Sequence, residues 1–142
     1  MPRRMKFTLA APLLAVALSG LTACKSSDSP IFFTSPSSPF PDVPVPASFE
    51  LVSSQNAGPA VGNSRNMEYI YRSTDSPIPV SHFFASKLPP QGWTLQSQNQ
   101  TDSQALLQFT KAGETLQISV SSGPTSRTNV RLRISATPAT QR

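Results

Sequence analysis

Three successive stretches near the C-terminus place an apolar residue at every second position. They are Ala105, Leu107 and Phe109; Leu116, Ile118 and Val120; and Val130, Leu132 and Ile134. A period of two puts each set on one face of a β-strand. Folding the chain at Ala112-Gly113, so that Thr110 faces Thr115, tightens the constraint. Phe109 then meets Leu116, Leu107 meets Ile118, and Ala105 meets Val120. Folding again at Ser122-Gly123-Pro124, so that Val120 faces Val130, brings Ile118 to Leu132 and Leu116 to Ile134. A slip of one residue would turn each set to the wrong face. The pattern predicts an antiparallel sheet with one apolar and one polar face. It extends to a third pairing, with Trp93 opposite Phe109 and Leu95 opposite Leu107.

Upstream, residues 49–52 read as a short strand, and a loop follows over residues 55–66. Residues 67–72 alternate, with Met67, Tyr69 and Tyr71 on one side, and their aromatic and β-branched content favours a strand. Ser73-Thr74-Asp75-Ser76-Pro77 is a helix-start pattern, a capping side chain followed by proline in the first turn. Val80, Phe83, Phe84 and Leu88 then form one apolar stripe at helical spacing. Pro89-Pro90-Gln91-Gly92 stops the helix. So short a helix must pack on a sheet to persist. The expected fold is α+β, a two-layer sandwich with one short helix on an antiparallel sheet, in the order β-β-α-β-β-β-β. Phe83, Phe84, Trp93 and Phe109 are its expected centre.

The N-terminus carries an export address. Arg3, Arg4 and Lys6 precede an uncharged, mostly apolar run from Phe7 to Leu21. That run is too short for a comfortable transmembrane helix. Leu21-Thr22-Ala23-Cys24 then resembles the bacterial lipobox. The resemblance implies a diacylglyceryl group on Cys24, cleavage before it, and acylation of the new terminus. Two or three acyl chains hold a protein on a bilayer almost permanently. Lys25, not aspartate, follows the cysteine, which by resemblance to enterobacterial sorting permits the outer membrane. The double arginine matches the twin-arginine consensus poorly and favours the general secretory route. Residues 1–23 are thus the expected signal peptide and 24–46 a lipidated tether. Residues 25–46 hold six prolines and six serines, a composition expected to stay extended as a stalk; Ile31, Phe32, Phe33 and Phe40 interrupt it, either as incidental aromatics near a membrane interface or as a short docking peptide for a partner. At about 3.1 Å per residue, the stalk would reach on the order of 60 Å. A domain over residues 47–137 and a disordered tail, 138–142, complete the expected organisation.

Charge and composition narrow the function. Cleavage removes Arg3, Arg4 and Lys6 from 12 basic residues and none of the 7 acidic ones, leaving a net charge of +2. There is no basic cluster, and nucleic acid is not an expected partner. One cysteine and one histidine give no disulfide framework and no multi-histidine metal site. His82 falls opposite the apolar stripe of the helix and is expected to be exposed. Asp42, Glu50, Glu68, Asp75, Asp102 and Glu114 are scattered one per element, without the paired spacing that acid–base chemistry needs. No enzyme activity, cofactor or metal is expected. The polar sheet face, with Gln108, Thr110, Gln117, Ser119 and Ser121, presents Arg131 and Arg133. These arginines suit an anionic partner, or they guard a sheet edge if the last strand is one. Arg65, closing the 55–66 loop, is the third candidate partner-binding residue.

One broader resemblance rests on Asp42-Val43-Pro44-Val45-Pro46, Phe49, Tyr69-Ile70-Tyr71, Phe83-Phe84, Leu88, Gly92-Trp93, Phe109-Thr110-Lys111 and Gly113. These residues resemble those of small bacterial lipoproteins of unknown function, in which a Val-Pro-rich lead-in precedes a strand and Gly-Trp opens the strand after the helix. The architecture is also distantly similar to the C lipoprotein of the β-barrel assembly machinery. The resulting expectation is a non-enzymatic envelope lipoprotein, an interaction or accessory module with a protein or glycan partner. The alternative is a small ligand-binding domain for a lipid or glycan, with a pocket between helix and sheet that Phe83, Phe84, Trp93 and Phe109 are large enough to fill.

Overall fold

The computed structural model describes residues 31–36, 38–58, 62 and 64–137. The expected signal peptide (1–23), Cys24 with residues 25–30, and the expected 138–142 tail lie outside the described residues. The elements are β1 (Glu50–Asn56), β2 (Met67–Ser73), α1 (Pro77–Lys87), β3 (Thr94–Gln100), β4 (Gln104–Lys111), β5 (Glu114–Ser122) and β6 (Thr128–Ala136). The order is the expected β-β-α-β-β-β-β. All six strands pair antiparallel in one open sheet, ordered β1-β2-β6-β5-β4-β3. The β1–β2 hairpin builds one edge. The chain then crosses through α1 to the far edge and returns as a meander, so that β6 closes against β2.

The central register agrees with the sequence residue by residue. Phe109 faces Leu116, Leu107 faces Ile118 and Ala105 faces Val120. Val120 faces Val130, Ile118 faces Leu132 and Leu116 faces Ile134. All nine of these side chains are buried. The β4–β5 turn explains why the register holds. Ala112 (φ 48°) and Gly113 (φ 80°) both take positive φ, the two-residue hairpin geometry that matches strand twist.

The third pairing differs. Leu95, not Trp93, faces Phe109, and the register shifts between Leu95 and Ser97. Trp93 precedes β3 and is folded inward at 2% exposure, while Leu95 stays 39% exposed. Gly92 turns the chain at φ 89°, a conformation that costs glycine little. The Trp93 ring thereby leaves the strand row and drops into the core. The pairing is displaced by two residues at Leu95 and by three after the bulge, where Gln98 and not Leu95 faces Leu107.

The apolar stripe of α1 lies as expected, with Val80, Phe84 and Leu88 fully buried and Phe83 nearly so. The expected side-chain cap is absent: Ser76 is the N-cap residue and makes no side-chain cap hydrogen bond. Pro79 sits at the third helical position and has no N–H for such a cap to serve. The Ser73 hydroxyl instead donates to Asp75 Oδ2 at 2.8 Å.

The helix packs on β4 and β5, yet the sheet is six strands wide, and buried side chains extend to β6 and β2. The rest of the cover comes from the segment expected to be a free tether. Val43 and Val45 are 1% and 2% exposed, and the intervening Pro44 and following Pro46 are buried too. The Phe40 ring meets Tyr69 of β2 edge-on at 5.5 Å. Phe49 lies between Tyr71 of β2 and Phe84 of α1, at 6.2 and 6.4 Å. The segment is braced on itself: Ser35 N–H donates to the Val45 carbonyl and Ala47 N–H to that of Phe33, both at 2.7 Å. The described part of the expected tether, residues 31–36 and 38–46, therefore packs with the folded body. Proline richness disfavours helix and sheet interior, but it does not prevent an extended strap from burying valines against a greasy surface.

Candidate functional site

Asp42 anchors the strap to the sheet. Arg65 Nη1 donates to Asp42 Oδ1 at 2.7 Å and Nη2 to Oδ2 at 3.0 Å. The same guanidinium reaches Glu114, with Nη2 to Oε2 at 2.6 Å. Arg65 N–H donates to Glu114 Oε1, also at 2.6 Å. Lys111 Nζ lies 3.0 Å from Asp42 Oδ2 and 2.7 Å from the Gln91 carbonyl. Two rings wall the cluster: Arg65 Cζ is 4.8 Å from the Phe40 centroid and 5.8 Å from that of Trp93. Trp93 Nε1 donates to the Asp42 carbonyl at 2.8 Å.

The charges respond accordingly. The Arg65 hydrogen bonds, with help from Lys111, hold Asp42 down at about 2 against the opposing effect of burial. Burial pushes Glu114 upward, but the Arg65 bonds and charge outweigh it, and the net shift is downward. Arg65 is raised by the same two carboxylates. Both carboxylates are thus ionised acceptors near neutral pH and hold no proton to donate. This is a clamp. Arg65, expected on a free loop to receive a partner, is spent inside it. The carboxylates expected to be scattered do meet, but only because tertiary folding brings Asp42 and Glu114 to one guanidinium.

The clamp yields a pH expectation. A carboxylate whose folded pKa lies below its unfolded value stabilises above that unfolded value, 3.8 for Asp42, and the gain disappears as pH falls toward the folded one. A shift of this size corresponds to about 2 kcal/mol. Asp42→Asn should therefore destabilise the protein by about that amount at pH 6, and the gap should close between about pH 4 and 2. Urea unfolding of both proteins across that range measures it.

Arg131 and Arg133 stand elsewhere. They project from the polar face of β6, which lies between β2 and β5, so they do not guard an edge. The edges are β1 and β3, and each carries a register shift near its start, a device that discourages edge pairing. Arg131 is 58% exposed and holds Glu68 only at 3.8 Å. Arg133 faces Glu68 across one ladder and Gln117 across the other. The three candidate arginines form no common surface. Beside Arg131, a shallow cleft of about 370 Å³ is lined by Ile70, Ser119, Ser121, Asn129 and Val130.

A larger cleft, about 520 Å³, opens where the strap meets the outer side of α1. Phe32, Ile78, Pro79 and Phe83 form its apolar floor, with His82, Ser86 and Lys87 at the rim. Phe32 is held 5.3 Å from Phe83 and 6.5 Å from Phe49. His82 is exposed, as its helical position required. Sequence periodicity missed this cleft because one wall comes from the strap. Between helix and sheet the space is filled by Trp93, Phe84, Phe109, Leu88, Leu107 and Leu116, each under 2% or at 2% exposure. Among the described residues no three His, Cys, Asp or Glu side chains gather as metal ligands. Nor is any described helix long and apolar enough to cross a membrane.

The fold and clefts define a small α+β module, one helix and an extended strap over a six-stranded antiparallel sheet. Residues 51–139 match the model of a START domain-like family, and the chain belongs to it. No curated protein and no solved structure matches the chain. The family match supports a ligand-binding module as one reading of the domain.

Proposed function

We propose that this chain is a lipid-anchored protein of the bacterial cell envelope, attached through Cys24 and facing the periplasm from the outer membrane. Its START-like domain acts by binding and not by catalysis. The seat is the cleft between strap and helix. The observation that carries this reading is the cleft's composition: an apolar floor of Phe32, Ile78, Pro79 and Phe83 with Lys87 and His82 at the rim. An apolar cavity of some hundreds of Å³ with a few polar groups is the usual form of a small-ligand site. The chemistry suits an amphiphile with an apolar body and an anionic or polar head. The filled helix–sheet interior supports seating the ligand outside it.

Titration with an environment-sensitive fluorescent fatty acid tests the seat. The native protein should bind saturably. Ile78→Glu, which places a charge on the floor, should abolish that binding while leaving the melting temperature nearly unchanged. Equal binding by both proteins, or none by either, contradicts the assignment. A second reading, a protein or glycan partner on the polar sheet face, draws on the weakly held Arg131 beside Ile70 and Ser119. Crosslinked capture from intact envelopes, compared with Arg131→Glu/Arg133→Glu, separates it from the first.

A further inference from the structure

Among the described residues, the two most exposed large apolar side chains sit together at the start of the folded body. Ile31 is 83% exposed and Phe33 is 75% exposed, whereas Leu51, Val52, Leu95 and Leu106 range from 39% to 51%. Between them, Phe32 turns inward against Phe83 and Phe49. Phe32 is half-buried, while both of its neighbours stay exposed. The Ala47 N–H to Phe33 carbonyl bond holds the backbone there. Collapse onto the domain is closed to these two side chains.

Chain length says what lies opposite them. Only residues 25–30 separate Ile31 from Cys24. Seven residue steps span at most about 25 Å. A domain of this size has a radius of gyration of about 13 Å, and its diameter exceeds that leash. A 60 Å stalk would hold the body clear of its anchor, but a folded strap leaves no such distance. We infer that Ile31 and Phe33 rest in the interface of the phospholipid bilayer that receives the lipid on Cys24. The inference builds on the anchor proposed above. Apolar and aromatic side chains at an interface gain by burial among headgroups and upper acyl chains. Lys87 lines the same cleft as Phe32 and supplies a cation on that side of the molecule, which attracts anionic headgroups. The apolar cleft then opens at the membrane surface.

The test uses the full chain in cells, with a photoreactive benzophenone amino acid at position 33 and, as control, at position 106. Leu106 is an exposed apolar residue of β4, on the polar sheet face with Ser119 opposite. Both positions are exposed, and neither substitution enters the core. Irradiation should give a phospholipid adduct at 33 and none at 106. The acyl mass on the mature N-terminal peptide is measured in the same sample. A lipidated chain with no lipid adduct at 33, or with a protein adduct there instead, overturns the inference and leaves the anchor standing. A Cys24 without lipid overturns the anchor, and with it the geometry from which the inference starts.

Discussion

A chain beginning at residue 47 is expected not to fold cooperatively, whereas one beginning at residue 31 melts like one beginning at residue 24. The shorter chain keeps every strand and the helix, so secondary structure alone gives no reason for failure. It loses Val43 and Val45, both buried, whose burial contributes about 3–4 kcal/mol together. It also strips Phe40 from Tyr69 and Asp42 from Arg65, leaving Glu114 as the guanidinium's carboxylate partner in the clamp. Breaking a partly buried charge cluster adds about 2–3 kcal/mol. The sum approaches the whole stability of a small domain, about 5–15 kcal/mol. Thermal melts of the two chains by circular dichroism decide the matter. Equal, sharp transitions would return residues 31–46 to the status of a tether.

Trp93→Ala should cost about 5 kcal/mol, the upper end for removal of a buried aromatic. Trp93 is the largest fully buried side chain and joins three parts of the structure. Its Nε1 donates to the Asp42 carbonyl on the strap. Its ring lies 5.8 Å from Arg65 Cζ and 5.6 Å from Lys111 Nζ. Its backbone N–H reaches the Leu88 carbonyl at the end of α1. Alanine leaves a cavity and also an unpaired acceptor. Trp93→Phe separates the two effects, because it restores most of the volume without the donor. Phenylalanine should recover the larger share of the loss, with about 1–2 kcal/mol still missing. If Trp93→Ala unfolds in urea with an unchanged midpoint, the ring is not the joint described here.

The meander from Ala105 to Ile134 was legible because β-strand alternation and tight turns are local signals. Phe109 against Leu116 follows from the two-residue turn at Ala112-Gly113, with nothing distant to intervene. Legibility stopped where the chain met itself over long distances. Asp42, Arg65 and Glu114 lie far apart in sequence, and no period links them. Asp42, Trp93 and Lys111 carry part of the loose, mostly structural resemblance and meet at the clamp, but that pattern includes neither Arg65 nor Glu114. Local composition misled at Val43-Pro44-Val45-Pro46, where proline content outweighed two valines at alternate positions. The cleft escapes periodicity for the same reason: Phe32 falls in the proline-rich segment.

Hydrogen exchange at two strap amides tests the central claim most directly, that residues 31–49 belong to the folded domain. Ser35 N–H and Ala47 N–H are bonded across the strap to Val45 and Phe33. On the structure described here, both amides exchange far more slowly than in an unstructured peptide, and Asp42→Asn or Arg65→Ala speeds them before it affects β4 and β5. Exchange of both at the unstructured rate, with the sheet fully protected, would contradict the account.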